Sequence, residues 1–167
     1  MVVKTEKVKI TYKGKEVTAT KLTITSSIPI NIDKAWEKVQ RLDLLQFVAK
    51  GMITFEPLEG KFPERCEENS SLATKMKFYG FLPLGGVHTL FFEKIDHENK
   101  VLQTQEQDSV AKVWNHKISM KKIDENNIEY EDEIVIYGGL MTFFIVFWAT
   151  LFYKHRQRRW QLVANAK

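Results

Sequence analysis

The two side chains in this sequence best suited to moving a proton are His116 and Asp132. Val113 to Ile123 and Ile128 to Tyr137 both read as strands, separated by the turn residues Asp124-Glu125-Asn126-Asn127. In the second run, alternation sets Ile128, Tyr130, Ile134 and Ile136 on one face and Glu129, Glu131 and Glu133 on the other. Asp132 falls in the isoleucine row. In the first run, His116 falls among Trp114, Ile118 and Met120. An inward imidazole and an inward carboxylate are candidates for general acid–base work. They have a plainer use as well: if the two strands pair so that the groups meet, each satisfies the other in the core, as buried polar groups usually do.

Other chemistry finds little support. Cys66 sits in a charged loop with no histidine nearby, and no G-x-S-x-G elbow, phosphate loop or G-x-G-x-x-G fingerprint is present. His88, His97, His116 and His155 share no metal-ligand spacing, so neither a metal nor a cofactor is expected. Glu67-Glu68 and Glu129, Glu131 and Glu133 read as solvated faces. Lys154, Arg156, Arg158 and Arg159 form the basic end of a helix, where cations complement the dipole. No basic stripe with interleaved aromatics accompanies them, so nucleic acid is not expected as a partner. An enzyme that works by positioning and one tuned acid or base would leave no motif, so the question of catalysis stays open.

The elements that must position these residues read as one domain over 1–167. A chain of 167 residues, 44% apolar and 28% charged, can build one real core. Its net charge of +4 is mild. One cysteine permits no internal disulfide, and the charged, alternating N-terminus lacks the apolar segment of a secretory leader, so cytoplasmic location is expected. Val2 to Tyr12 and Val17 to Ser27 form a hairpin around the turn Lys13-Gly14-Lys15, with residues 1–20 as its extended N-terminal part. After Pro29, Asn31 or Asp33 can cap a helix presenting Ile32, Trp36 and Val39, and Leu42 to Val48 continues as a second short helix. Six strands follow: Met52 to Leu58, Leu72 to Phe81, Val87 to Ile95, Val101 to Asp108, and the two described above. Leu82 to Gly86 reads as a break between strands, Ser109 to Lys112 as a turn, and either face of Val87 to Ile95 could be inward. Short connections imply antiparallel neighbours, and the class is α+β.

Gly138 to Lys167 is the one long helix, apolar on every side at first and strongly basic afterwards. Leu140 to Phe152 is shorter than the roughly twenty apolar residues that span a bilayer, so membrane anchorage is the minor reading. The upstream strands need a partner for their apolar face and can wrap this helix. On that reading its first half is core and pocket wall, and its basic second half reaches past the sheet into solvent.

Four stretches carry a resemblance to a known superfamily. They are Ile28-Pro29-Ile30 with Ala35-Trp36, Phe78-Tyr79-Gly80-Phe81-Leu82-Pro83-Leu84-Gly85, Trp114-Asn115-His116-Lys117-Ile118, and Phe152-Tyr153-Lys154-His155-Arg156-Gln157-Arg158-Arg159-Trp160. The sequence resembles the START and Bet v 1-like superfamily, which includes polyketide cyclases and lipid carriers, and within it a group of uncharacterised bacterial members. The resemblance implies a helix-grip fold, a curved antiparallel sheet wrapped around the C-terminal helix, with a deep cavity entered near the two short helices. It implies no single activity. The expected partner is an apolar or amphipathic small molecule: a lipid, polyketide or aromatic metabolite. Its lining is expected from Trp114, His116, Ile118, Tyr130, Asp132 and Ile134 on the sheet, and from Phe143, Phe144, Phe147, Trp148 and Leu151 on the helix. The ligand is expected against Phe143 to Leu151 and not at the charged end. The alternatives are an aromatase/cyclase- or dehydratase-type enzyme using His116 and Asp132, and a membrane-associated protein held by the last helix.

Overall fold

Eight strands form one antiparallel sheet in the order β1-β2-β8-β7-β6-β5-β4-β3. The structure, a computed structural model, describes residues 1–107 and 111–165. β1 (Val2–Tyr12) and β2 (Lys15–Ile28) pair as a hairpin whose two-residue turn places Lys13 and Gly14 at φ 49° and 74°. That left-handed pair matches the twist of the flanking strands, and glycine adopts it without steric cost. β2 continues past β1 to pair with β8 (Ile128–Tyr137), joining the chain's beginning to its last strand.

Two short helices then carry the chain from β2, second from one edge of the sheet, to the opposite edge. α1 (Ile32–Val39) starts where the Asn31 side chain accepts from the Asp33 and Lys34 amides, and it buries Ala35 and Trp36. α2 (Leu42–Ala49) buries Leu42, Leu44, Val48 and Ala49. β3 (Ile53–Pro57), β4 (Ser71–Phe78), β5 (Leu82–Asp96), β6 (Val101–Gln107) and β7 (Val113–Lys122) follow as antiparallel neighbours leading back to β8.

The stretch expected as a break, Leu82 to Gly86, belongs to β5 instead. The chain reverses earlier, at Tyr79 and Gly80, both in the left-handed region at φ 49° and 81°. What the glycine pair makes is a register shift inside the strand: Met76 pairs with Leu84 and Thr74 with His88, so extra residues of β5 stand opposite Lys75. Such a bulge re-aims the residues beside it. Beyond it, His88, Leu90 and Phe92 form the buried row. Ser109 and Val110 of the expected turn at Ser109 to Lys112 lie outside the described residues, as do Asp108 and the final two residues of the expected last helix.

A single 3-10 turn, Gly139–Met141, leads into α3 (Thr142–Asn165). Its burial differs from the sequence expectation at both ends. In the apolar first half Thr142, Ile145, Ala149, Phe152 and Tyr153 are buried, while Phe143 and Phe147 are 73% and 62% exposed and Leu140 and Leu151 are exposed too. The basic second half does not reach into solvent. Arg156, Gln157 and Trp160 are buried, with Trp160 packed on Tyr130 at a ring distance of 5.4 Å. Gln157 Nε2 donates to the Ile24 carbonyl and Gln161 Nε2 to the Ser27 carbonyl, tying α3 to β2. Arg159 Nε donates to the Phe47 carbonyl, and His155 Nε2 lies 2.9 Å from the Lys50 carbonyl, tying α3 to α2. The polar residues are held because their donors reach carbonyls of β2 and of the end of α2, each of which has a lone pair to accept them.

Candidate functional site

Between the inner face of the sheet and α3 lies a cavity of about 340 Å³. That is within the range of small-molecule sites. Its sheet side is built by Ile53 and Phe55 of β3, Met76 and Phe78 of β4, His88 and Leu90 of β5, Glu106 of β6 and Trp114 of β7. Phe144, Ile145, Trp148, Phe152, Tyr153 and Arg156 supply the helix side, and Leu45 of α2 completes the wall. Phe144 both lines the cavity and is exposed, so it marks an opening to solvent. Aromatic rings pave the interior: Trp148 stacks on Phe152 at 5.1 Å, meets Phe78 edge-on at 5.3 Å and lies 6.2 Å from Trp114. A smaller lobe of about 50 Å³ shares Leu45, Leu90, Glu106 and Arg156 with the main cavity and adds His116, Ile118 and Trp160.

The polar groups gather where the two lobes meet. His88 Nε2 lies 3.0 Å from Glu106 Oε2, and Thr104 Oγ1 donates to Glu106 Oε1 at 3.0 Å. Burial pushes the Glu106 carboxyl up, but the His88 hydrogen bond and the charges of His88, His116 and Arg156 outweigh it, leaving the group below its ordinary value. It is therefore ionised, and His88 Nε2 is the donor. Tyr153 accepts a hydrogen bond from Trp114 Nε1 at 3.2 Å, and burial raises its phenol well above the usual range, so it keeps its proton. Arg156 stacks over Tyr153, with 4.9 Å from guanidinium carbon to ring centroid, and lies 5.7 Å from the Phe152 ring.

His116 and Asp132 do meet. His116 Nε2 is 2.8 Å from Asp132 Oδ1 across the β7–β8 pair. Gln157 Nε2 donates to Asp132 Oδ2 at 2.9 Å, and the Tyr130 hydroxyl reaches Oδ1 at 3.5 Å. Burial pushes the Asp132 carboxyl up; the His116 hydrogen bond, the nearby Arg156 and His116 charges and the Gln157 amide together bring it below its ordinary value. Asp132 is 0% exposed and both its oxygens are engaged. This cluster is the joint between α3, β7 and β8.

The residues singled out in the sequence therefore fall into separate places. Trp114, Phe144 and Trp148 stand on the main cavity wall, and His116 and Ile118 on the small lobe. Tyr130, Asp132 and Ile134 are sealed in the core, because the last turns of α3 pack directly on β8. Phe143, Phe147 and Leu151 lie on the opposite face of α3 from Ile145, Ala149 and Phe152, at the spacing a helix demands, and point away from the sheet. Sequence reasoning passed over Phe55, Met76, Glu106, Tyr153 and Arg156. Glu106 was hidden in a strand polar on both faces, and Arg156 in a cluster of cations. Their signal was weak but present: Glu106 shares a strand face with Leu102 and Thr104, and Arg156 sits three and four residues after Tyr153 and Phe152.

Burial pushes the Cys66 thiol up to about 11, so it is a protonated core residue. No cluster of His, Cys, Asp and Glu able to hold a metal occurs among the described residues. No described helix is long and apolar enough to cross a membrane.

No family model matches the chain, and no curated protein sequence does. Solved structures do match in shape. The START superfamily protein from Mycobacterium smegmatis superposes with a TM-score of 0.62 at 12% identity, covering 86% of this chain and 96% of that one. The truncated norcoclaurine synthase from Thalictrum flavum gives 0.63 at 13% identity over 92% of this chain and 99% of that one. The Zhui aromatase/cyclase from a Streptomyces species gives 0.59 at 9% identity over 86% and 90%. What the chain shares with these structures is the helix-grip fold, a curved antiparallel sheet wrapped around a long C-terminal helix.

Proposed function

We propose that this protein binds an apolar or amphipathic small molecule, of the lipid, polyketide or aromatic-metabolite kind, in the cavity between α3 and the sheet. The observation that carries the reading is the lining: apolar side chains from four strands and α3 enclose about 340 Å³, with a few polar groups gathered at the inner end. A cavity so lined gains free energy from any apolar body that fills it. Protein purified without detergent should carry a small molecule visible by native mass spectrometry, or show thermal-shift hits in a lipid and polyketide panel. A clean ligand-free protein with no shift from any apolar compound would overturn the reading.

A second reading, catalysis of the aromatase/cyclase or dehydratase kind, draws on His88 and Glu106, which are hydrogen-bonded to each other and both line the cavity. His116 and Asp132 suit it less, since the carboxylate is sealed off and fully engaged. Turnover of a bound polyketide that survives Glu106→Gln unchanged would remove the dyad from any mechanism.

A further inference from the structure

We infer that the cavity's ligand is a monocarboxylate with an apolar body, its acid head held by Arg156 and Tyr153. This rests on the binding function proposed above and names the ligand class for the same cavity. Arg156 is only 7% exposed, lines both lobes, and forms no hydrogen bond or ion pair through its guanidinium with any described residue; its Nε is fully enclosed without a partner. A buried guanidinium with five unused donors is costly unless an acceptor meets it.

The two neighbouring carboxylates do not fill that role. Asp132 accepts from His116, Gln157 and Tyr130, and Glu106 accepts from Thr104 and His88. Both are satisfied by other donors, which leaves Arg156 as the surplus donor of the cluster. Tyr153 adds to the surplus: its oxygen accepts from Trp114 Nε1, so its own O–H is left to donate. The two residues are three apart on α3 and both line the main cavity, so their donors converge on one head group.

The charge of that head follows from its surroundings. A planar carboxylate fits the guanidinium fork and brings a single negative charge. A phosphate monoester would bring nearly two beside the ionised Glu106 and Asp132, and like charges in an enclosed site repel strongly. The body of the ligand would run from Arg156 towards Phe144, twelve residues back along α3. At 1.5 Å per residue that is about 18 Å, walled by Phe152, Trp148 and Ile145.

The test compares three probes on one apolar chain, decanoate, 1-decanol and decyl phosphate, by calorimetry on the full chain stripped of bound lipid. Wild type should bind decanoate about tenfold or more tightly than 1-decanol, as expected for one charge-assisted hydrogen-bonded head. Arg156→Met should abolish that preference while 1-decanol binding persists. Tyr153→Phe, which removes only the hydroxyl, should weaken decanoate severalfold and leave 1-decanol unchanged; it serves also if Arg156→Met does not fold. Equal affinity for decanoate and 1-decanol in wild type would overturn the carboxylate assignment and leave the binding cavity standing. Tighter binding of decyl phosphate would overturn it in favour of a phosphate head. No binding of any probe, together with no hit in the wider panel, would overturn the binding function itself.

Discussion

Along α3, the first turns have the most apolar composition in the chain yet present Phe143, Phe147 and Leu151 to solvent. The last turns carry Lys154, Arg156, Arg158 and Arg159 yet bury Arg156, Gln157 and Trp160. Composition alone ranks the two halves the other way round. What decides burial is what lies opposite. Under the first half the sheet stands off and the cavity intervenes, so only one stripe of the helix meets protein. Under the second half the helix lies directly on β2 and β8, where the Ile24 and Ser27 carbonyls and the Asp132 carboxylate accept from Gln157 and Gln161. A polar helix end can therefore be the structural clamp, and an apolar start the looser, ligand-facing part.

The sharpest way to break this comparison is to cut each half at a large aromatic residue. Trp160→Ala in the basic half should cost about 3–5 kcal/mol, the usual loss for emptying a buried aromatic site, read from urea unfolding midpoints. Trp148→Ala in the apolar half should cost distinctly less, because that ring already faces the cavity on one side and so has fewer packing partners to lose. An equal loss at the two positions would show that the halves are packed alike.

A smaller effect separates the halves by pH. The Asp132 carboxyl lies below its ordinary value in the folded protein. A group of this kind stabilises the fold fully above its unfolded-state value of about 3.9, and that contribution is lost as pH falls through the lower folded value. Asp132→Asn keeps an acceptor for His116 but turns an amide donor towards Gln157. It should destabilise by about 1–3 kcal/mol at neutral pH. The gap from wild type should then narrow as pH drops below about 4, where wild type loses its carboxylate term. Some acid sensitivity should remain in the variant, because Glu106 is held ionised in the same way. A gap independent of pH would remove the Asp132 charge from the clamp.

These contrasts bear on what was legible beforehand. The hairpin, both short helices, the six following strands and the final helix follow from alternation, turn residues and caps, because those are local signals. Pairing of His116 with Asp132 was foreseeable from strand order, since adjacent antiparallel strands joined by a short turn bring facing rows together. Which face of α3 meets the sheet was not legible. A helix apolar on every side has no preferred face, so Phe143 and Phe147 could not be told from Ile145 and Ala149. Arg156 was equally hidden, since a buried cation differs from its solvated neighbour Arg158 only through tertiary partners. The site residues in the upstream strands depend on a bulge that a Gly-Gly pair made look like a chain break.

The smallest expected effect sharpens the comparison from the other side. Phe143→Ser combined with Phe147→Ser removes two large apolar rings, which in a core would cost several kcal/mol. Here both rings point away from the sheet and are mostly solvated, so the double variant should shift stability by less than about 0.5 kcal/mol. It should also elute earlier from a hydrophobic-interaction column, because these rings are continuous with exposed Leu140 and Leu151 along one stripe. The two readouts must move independently for the argument to hold. A loss of several kcal/mol that vanishes on dilution would mean the stripe is covered by a second copy of the chain, and the apolar half would then be a clamp of its own, between molecules and not within one.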